Sequence, residues 1–316
     1  MNNQAQPIGS ELLAKKYLVT GGAGFIGTNI VIKLLSDGHK VRVLDNFSAG
    51  KKDDRIQKGV EYIEGDIRNM EDVKRAMVGI DGVFHLAAIP RVPYSIEHPI
   101  ETNDNNVNGT LTLLVGARDA GVKRFVFSSS SSVYGGNDNE KLREDMCGNP
   151  ISPYALHKYT GEMYCRLFSE LYGFETVSLR YFNVYGPYID PEGAYALVVG
   201  KFLKQRAKGE PMTICGDGEY YRDYTHVADV ARANLLAMTS DKVGKGEVIN
   251  AGYGQCKSVN ELARLIGGET MNIPERPGDP RRSEADTTKA KELLGWEPTI
   301  KFEDGIAELK RDWGLE

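Results

Sequence analysis

Through the first 182 residues, short apolar runs alternate with stretches whose apolar residues recur at helical spacing. Tyr17-Leu18-Val19 is the first such run, and Ile26, Ile30 and Leu34 follow it one helical turn apart. Val41–Asp45 reads as a second strand, the polar and basic stretch 46–57 as a loop, and Val60–Glu64 as a third strand closed by Gly65-Asp66. Val73 to Val78 has helical spacing, and Gly82–Ala88 is a strongly apolar fourth strand. A loop carrying Pro90, Pro93 and Pro99 leads into a helix over about 103–120. Phe125-Val126-Phe127 is a fifth strand running into the serines 128–132. A helix from Pro153 to Leu171 has its proline in the first turn, where no N–H is needed, and a sixth strand follows over Thr176 to Phe182. Short strands separated by helices predict an α/β fold, a doubly wound parallel (Rossmann) sheet.

After about residue 183 the pattern changes. Pro and Gly become denser, and helices over about 194–208, 227–238, 258–266, 287–294 and 303–312 are separated by short strands near 212–215 and 247–250. The expected organisation is a large domain over 1–182 and a smaller C-terminal α/β region over 183–316. Within the second, about 225–252 is expected to return to the large domain.

Composition adds exclusions. With 41% hydrophobic and 26% charged residues in 316, the chain reads as an ordinary soluble globular enzyme. A net charge of -5 gives no electrostatic case for nucleic acid. Cys147, Cys165, Cys215 and Cys256 form no C-x-x-C pair, which argues against a metal site and suits a reducing compartment. No apolar stretch is long enough to cross a bilayer, and residues 1–10 lack the apolar core of a signal peptide. The expected address is the cytoplasm, with no nucleic-acid and no membrane partner.

The chemistry falls at the ends of the strands, where parallel sheets bind ligands. Gly22, Gly24 and Gly27 fit G-x-G-x-x-G between the first strand and the first helix, and Gly21 extends the cluster. Such glycines let the backbone turn sharply and bring a pyrophosphate to the helix N-terminal amides. Asp45 ends the second strand, placed to accept hydrogen bonds from an adenosine ribose and to repel a 2′-phosphate, which favours NAD over NADP. Tyr154 and Lys158 lie one turn apart on one helical face. A phenol with a pKa near 10 is a poor base, but a neighbouring ammonium and an oxidised nicotinamide would stabilise the phenolate. The serines 128–132 offer a hydroxyl for a proton relay.

Thr20–Gly27, Asp45-Asn46, Gly65-Asp66, Leu86-Ala87-Ala88, Asn105 to Thr110, the serine run, Tyr154 with Lys158, and Arg180-Tyr181-Phe182-Asn183 occur in that order. Together they resemble the extended short-chain dehydrogenase/reductase family, specifically its nucleotide-sugar epimerases, from about residue 16 to the C-terminus. The resemblance is greatest to UDP-N-acetylglucosamine 4-epimerases and UDP-galactose (UDP-glucose) 4-epimerases. It implies a catalytic base at Tyr154, its partner at Lys158 and a relay hydroxyl at Ser130. It implies NAD contacts at Gly21, Gly24, Phe25, Ile26, Gly27, Asp45, Asn46, Ser48, Asp66, Ile67, Leu86, Ala87, Ala88, Asn105, Ser128, Tyr154, Lys158 and Phe182. Substrate contacts are implied at Val92, Ser130, Ser132, Asn183, Leu197, Val198, Arg222, Arg276, Asp279 and Ser283, with both arginines facing a diphosphate. The implied reaction is C4 epimerisation of UDP-hexoses through a 4-keto sugar. The helices at 103–120 and 153–171 often form a four-helix dimer interface in this family, so a homodimer is expected.

Dehydratases and decarboxylases of the family carry an acid just before V-Y-G. Here Ser131 and Ser132 stand there, and neither can act as a carboxylate base. Ser283 aligns with a gatekeeper position where a tyrosine restricts the pocket to non-acetylated hexoses. A serine leaves room for a 2-acetamido group, so UDP-GlcNAc/UDP-GalNAc is the expected pair, with UDP-Glc/UDP-Gal beside it. Arg91 could instead meet a sugar carboxylate, which makes a UDP-glucuronate 4-epimerase the alternative. An NADP-dependent keto-sugar reductase is opposed by Asp45. A dinucleotide sensor without catalysis is opposed by the retained Tyr154 and Lys158.

Overall fold

The computed structural model describes residues 14–48, 53–135, 140–191, 197–275 and 280–316. In chain order the elements up to the serine run are β1 (Lys16–Thr20), α1 (Phe25–Ser36), β2 (Lys40–Asp45), β3 (Glu61–Glu64), α2 (Met70–Met77), β4 (Gly82–His85), α3 (Val92–Glu97), α4 (Pro99–Asn103), α5 (Gly109–Asp119) and β5 (Arg124–Ser130). Then come α6 (Pro153–Tyr172), β6 (Glu175–Tyr181), β7 (Val184–Tyr185), α7 (Val198–Ala207), β8 (Met212–Cys215), β9 (Tyr221–Asp223), β10 (Thr225–His226) and α8 (Val227–Thr239). The chain ends with β11 (Lys245–Ala251), β12 (Cys256–Ser258), α9 (Val259–Ile266), β13 (Thr270–Ile273), β14 (Arg282–Ser283), α10 (Thr288–Leu294) and α11 (Phe302–Asp312).

Seven strands form one parallel sheet in the order β11-β6-β5-β4-β1-β2-β3. Side chains alternate between its faces, as strand geometry requires. Tyr17 and Val19 of β1 pack in a cluster with Ile30, Val31 and Leu34 of α1 and Val230 of α8. Leu18, between them, packs with Val73 of α2, Leu113 of α5 and Phe168 of α6. The sheet is therefore covered on both sides, which explains the uninterrupted apolar character of its strands. The order reverses between β1 and β4, and a crevice at such a reversal is where doubly wound sheets bind ligands.

Three expectations need correcting. The fourth strand stops at His85. Leu86 N still donates to Thr20 O (3.1 Å), but β1 ends there in the glycine turn, and Ala87 N turns to the Thr20 hydroxyl (3.3 Å) instead of a backbone carbonyl. The helix expected over 103–120 is α4, a π-helical turn over Asp104–Asn108, and then α5. The third strand starts at Glu61. Beyond residue 183 the two- and three-residue strands β7, β9, β10, β12 and β14 carry too few positions to show a period. They build a β10–β7 pair and a three-stranded β12-β9-β14 sheet. α8 packs against α1, and β11 pairs with β6 at the edge of the large sheet. Among the described residues no helix is long and apolar enough to cross a membrane.

Candidate active site

The glycine turn sits over the end of β1. Gly21 has φ +69°, and a Cβ there would lie 2.7 Å from Ala87 N. A Cβ on Gly27 would lie 2.2 Å from Gly21 O, so α1 can approach β1 only because that position is bare. Gly24 is the N-cap of α1 and has no side chain to bond the first-turn amides, which leaves those of Phe25, Ile26 and Gly27 open to an anion. Asp45 is half-buried beside the turn, accepting from Ala23 N (3.0 Å) and Phe47 N (2.8 Å). Burial raises its carboxyl above the usual range, and the two amide bonds oppose that. Asn46 accepts from Ser48 N (3.1 Å) and so shapes the exposed loop after β2.

Not every expected cofactor residue faces this crevice with its side chain. Ile67 is buried against the bare face of Gly109, and Phe182 is wholly buried with Tyr134, Leu142 and Ala285. Any ligand contact these two make runs through their backbone. The Asp66 carboxylate is held by Arg68 (2.6 Å), which lowers its pKa. Leu86, Ala87 and Ala88 are half-buried along the crevice, and Asn105 is half-buried in the π turn.

The proton-handling groups meet where β5 ends and α6 begins. Ser152 caps α6 by accepting from Ala155 N (3.2 Å), and Ser95 of α3 accepts from Tyr154 N (3.1 Å). These two bonds fix the first turn, and with it Tyr154. Burial pushes the Tyr154 phenol up to about 12, while a hydrogen bond with Ser130 draws it down. Lys158 is buried one turn on, with Nζ 5.9 Å from the centroid of the Tyr154 ring and donating to Ser128 O (2.6 Å). Burial lowers its ammonium to about 8, and the Glu162 carboxylate works in the opposite sense. The Ser132 hydroxyl is buried and has no hydrogen-bond partner among the described residues.

Arg222 of β9 lies directly opposite Ser283 of β14 in the parallel register. Arg222 Nη1 donates to Tyr221 O (3.0 Å) and Pro280 O (2.8 Å), bonds that leave most of its five N–H groups for a ligand. Asn183 has φ +21°, a strained value for a residue with a Cβ and a frequent mark of a functional position. Leu197 is the exposed N-cap of α7, Val198 is its first residue, and Val92 begins α3. Arg276 and Asp279 lie outside the described residues.

The match to known proteins is extensive. Residues 17–252 match the family model described as the NAD dependent epimerase/dehydratase family. The chain belongs to that family. A protein of Methanocaldococcus jannaschii named as a putative UDP-glucose 4-epimerase is 41% identical over 297 residues, covering 92% of this chain and 95% of that protein. The UDP-glucose 4-epimerase of Thermotoga maritima, solved with UDP-glucose, superposes with a TM-score of 0.88 at 42% identity, over 95% of this chain and 98% of that one. A UDP-N-acetylglucosamine 4-epimerase from Methanobrevibacter ruminantium M1, solved with UDP-N-acetylmuramic acid, gives a TM-score of 0.89 at 37% identity, over 96% and 98%. This member of the epimerase/dehydratase family is an enzyme that uses NAD. The residues present fit that cofactor: a helix N-terminus left bare at Gly24 and brought close to β1 by Gly21 and Gly27, an acid at Asp45 for a ribose, and an ammonium at Lys158.

Several residues that shape this family site were not singled out from the sequence. Asn106, beside Asn105, accepts from Ile89 N (2.8 Å) and donates to Ile89 O (3.1 Å), holding the loop after β4 to the π turn. His85 is buried between Thr20 and Thr110, each 2.8 Å away. Thr110 donates to Asn106 O (2.6 Å), so it accepts from His85 Nε2–H and leaves Nδ1 to accept from Thr20. Burial holds His85 well below its ordinary pKa, consistent with this neutral form. Glu162 accepts from Ser129 Oγ (2.5 Å) and pairs with buried Arg180 (2.7 Å), locking the end of β5 to α6. The available signal was a histidine ending the apolar run of β4 and an acid one turn beyond Lys158.

Proposed function

We propose that this enzyme inverts C4 of UDP-hexoses, with UDP-GlcNAc/UDP-GalNAc as its main pair and UDP-Glc/UDP-Gal beside it. The observation that carries the reading is the meeting of Tyr154, Ser130 and Lys158 where β5 ends and α6 begins, in a chain that also pairs an arginine with a small residue on β9 and β14. When bound, NAD would supply a hydride acceptor and donor and, in its oxidised form, a positive charge that favours the phenolate. Tyr154 takes the proton of the sugar 4-hydroxyl, with Ser130 in the relay, and returns it to the same oxygen after the hexose has turned to present its other face. Lys158 holds positive charge next to the phenolate. Arg222 and Asn183, with Arg276, grip the diphosphate while the hexose turns, so binding energy is spent on the nucleotide and the sugar stays loosely held. Residues 183–316 then serve as the nucleotide-sugar side of the molecule. We further propose a homodimer.

A second reading is favoured by Arg91. It is half-buried at the N-cap of α3, the helix whose Ser95 holds Tyr154 N, and its guanidinium has no partner among the described residues. A free cation there would suit a sugar carboxylate, as in UDP-glucuronate. Separate incubation with UDP-Glc, UDP-GlcNAc and UDP-GlcA, followed by NMR of the C4 configuration, decides between the two. Inversion of the first two supports the main reading, and inversion of UDP-GlcA alone replaces it. Ser283→Tyr should abolish turnover of the acetylated pair and spare UDP-Glc; equal loss of both would remove the gatekeeper role.

A further inference from the structure

Asp223 ends β9, one residue past Arg222, and is wholly buried. One carboxylate oxygen accepts from Tyr253 N (2.6 Å) and Thr225 Oγ1 (3.2 Å). The other accepts from Gly254 N (2.8 Å) and Ala285 N (3.0 Å). The four donors belong to three separate pieces of chain: the start of β10, the turn that leaves β11, and the residues just after β14. None of the four is a cation. An ionised carboxyl has about four lone-pair sites, and here all are engaged. A buried acid without a counter-charge is costly, so its presence calls for a reason.

We propose that Asp223 is a positioning residue for substrate, fixing β14 and the 252–254 turn against β9 so that Ser283 and Arg222 stand at the separation the sugar nucleotide requires. The inference rests on the placement of substrate between those two residues proposed above. The register supports it. Ser283 pairs with Arg222, and Ala285, two residues on, is the one that reaches the Asp223 carboxylate. Short strands of two and three residues have little ladder of their own, so their relative placement depends on such side-chain ties. Gly252 tightens the same junction. A Cβ there would lie 2.4 Å from Ala285 Cβ and 3.1 Å from an Asp223 oxygen.

Two variants test this independently. Asp223→Asn keeps the shape but turns an NH2 toward at least one backbone donor, whichever way the amide lies. Gly252→Ala keeps the carboxylate and pushes Ala285, and β14 with it, away from β9. Both should weaken UDP binding measured by calorimetry and raise KM for UDP-hexoses about tenfold, with kcat within about threefold and NAD content unchanged. The ratio of kcat/KM for acetylated over non-acetylated hexose should also move in both, because Ser283 has moved. A structural role alone would lower thermal stability and NAD content without that split. The proposal is overturned if folded variants bind UDP and show KM within about twofold of the parent. It is equally overturned if kcat and NAD content fall along with the rise in KM. A parent that binds no UDP removes the reading of the site itself, and this inference with it.

Discussion

Lys158 shows what a single functional residue does to the fold that holds it. Its side chain is buried, and its ammonium is lowered from 10.5 to about 8 by that burial. The unfolded chain binds the proton up to about pH 10.5, whereas the folded chain releases it near pH 8, so holding the charge opposes folding. This cost is fully present below about pH 8 and fades as pH rises toward 10.5. Lys158→Met should therefore be more stable than the parent at pH 7, by about 1–3 kcal/mol, when both are stripped of NAD. The advantage should disappear by about pH 10.5, and turnover should be lost throughout. Urea unfolding at pH 7 and pH 10.5 measures it; a variant less stable than the parent at pH 7 would contradict the sign. The Tyr154–Lys158 pair was legible in the sequence because one helical turn of spacing survives into any helix. Asp223, Glu162 and His85 were not, because an acid or histidine in a string of letters carries no mark of being buried. Their partners come from segments remote in sequence, such as Ala285 for Asp223 and Thr20 for His85.

Among the elements, β1, the glycine turn and α1 divide one motif into two jobs. Gly21 and Gly27 serve the protein: the first needs a left-handed backbone, and the second lets α1 close on the turn. Gly24 has an ordinary φ of -81°, and a Cβ there would meet Gly21 O at 3.1 Å, a tight contact that a small shift relieves. Its bareness matters more for what approaches the helix N-terminus from outside. Gly21→Ala should lower the stability of the NAD-free chain by about 1–3 kcal/mol, from backbone strain and the clash with Ala87. Gly24→Ala should stay within about 1 kcal/mol of the parent yet retain far less NAD. Thermal unfolding and the nucleotide released on denaturation give the two readings; a Gly24→Ala chain that keeps its NAD would refute the division. Several elements beyond residue 183 were legible. The strand at 212–215 stands where its pattern puts it, and α8 and α9 differ from expectation by one residue. The helix expected over 103–120 is helical to Asp119 but carries a π turn over Asp104–Asn108, where Asn106 turns inward to hold Ile89, a tertiary demand that local spacing cannot express.

At the scale of the whole molecule, the two faces of the sheet are covered but the outside of α6 is not fully used. Leu156, Leu167, Leu171 and Tyr172 of α6 are exposed, at 51%, 40%, 67% and 53%. Ile96 and Ile100, on α3 and α4 where these helices pack against α6, are exposed at 60% and 86%. Single exposed leucines are ordinary, but a cluster along one helix and its neighbours marks a contact surface. The seven-stranded sheet already has its own helices, so no further element of the described chain is left to cover this face. A second copy related by a two-fold axis would bring the same surface against itself and bury both at once, the usual geometry of a homodimer. Light scattering after size exclusion should then give twice the chain mass. Leu167→Lys with Leu171→Lys places two like charges on each side of the axis and should give a monomer that still binds NAD, because neither residue touches the crevice. A monomeric parent, or a double variant that stays dimeric, would show that this face is not the subunit interface.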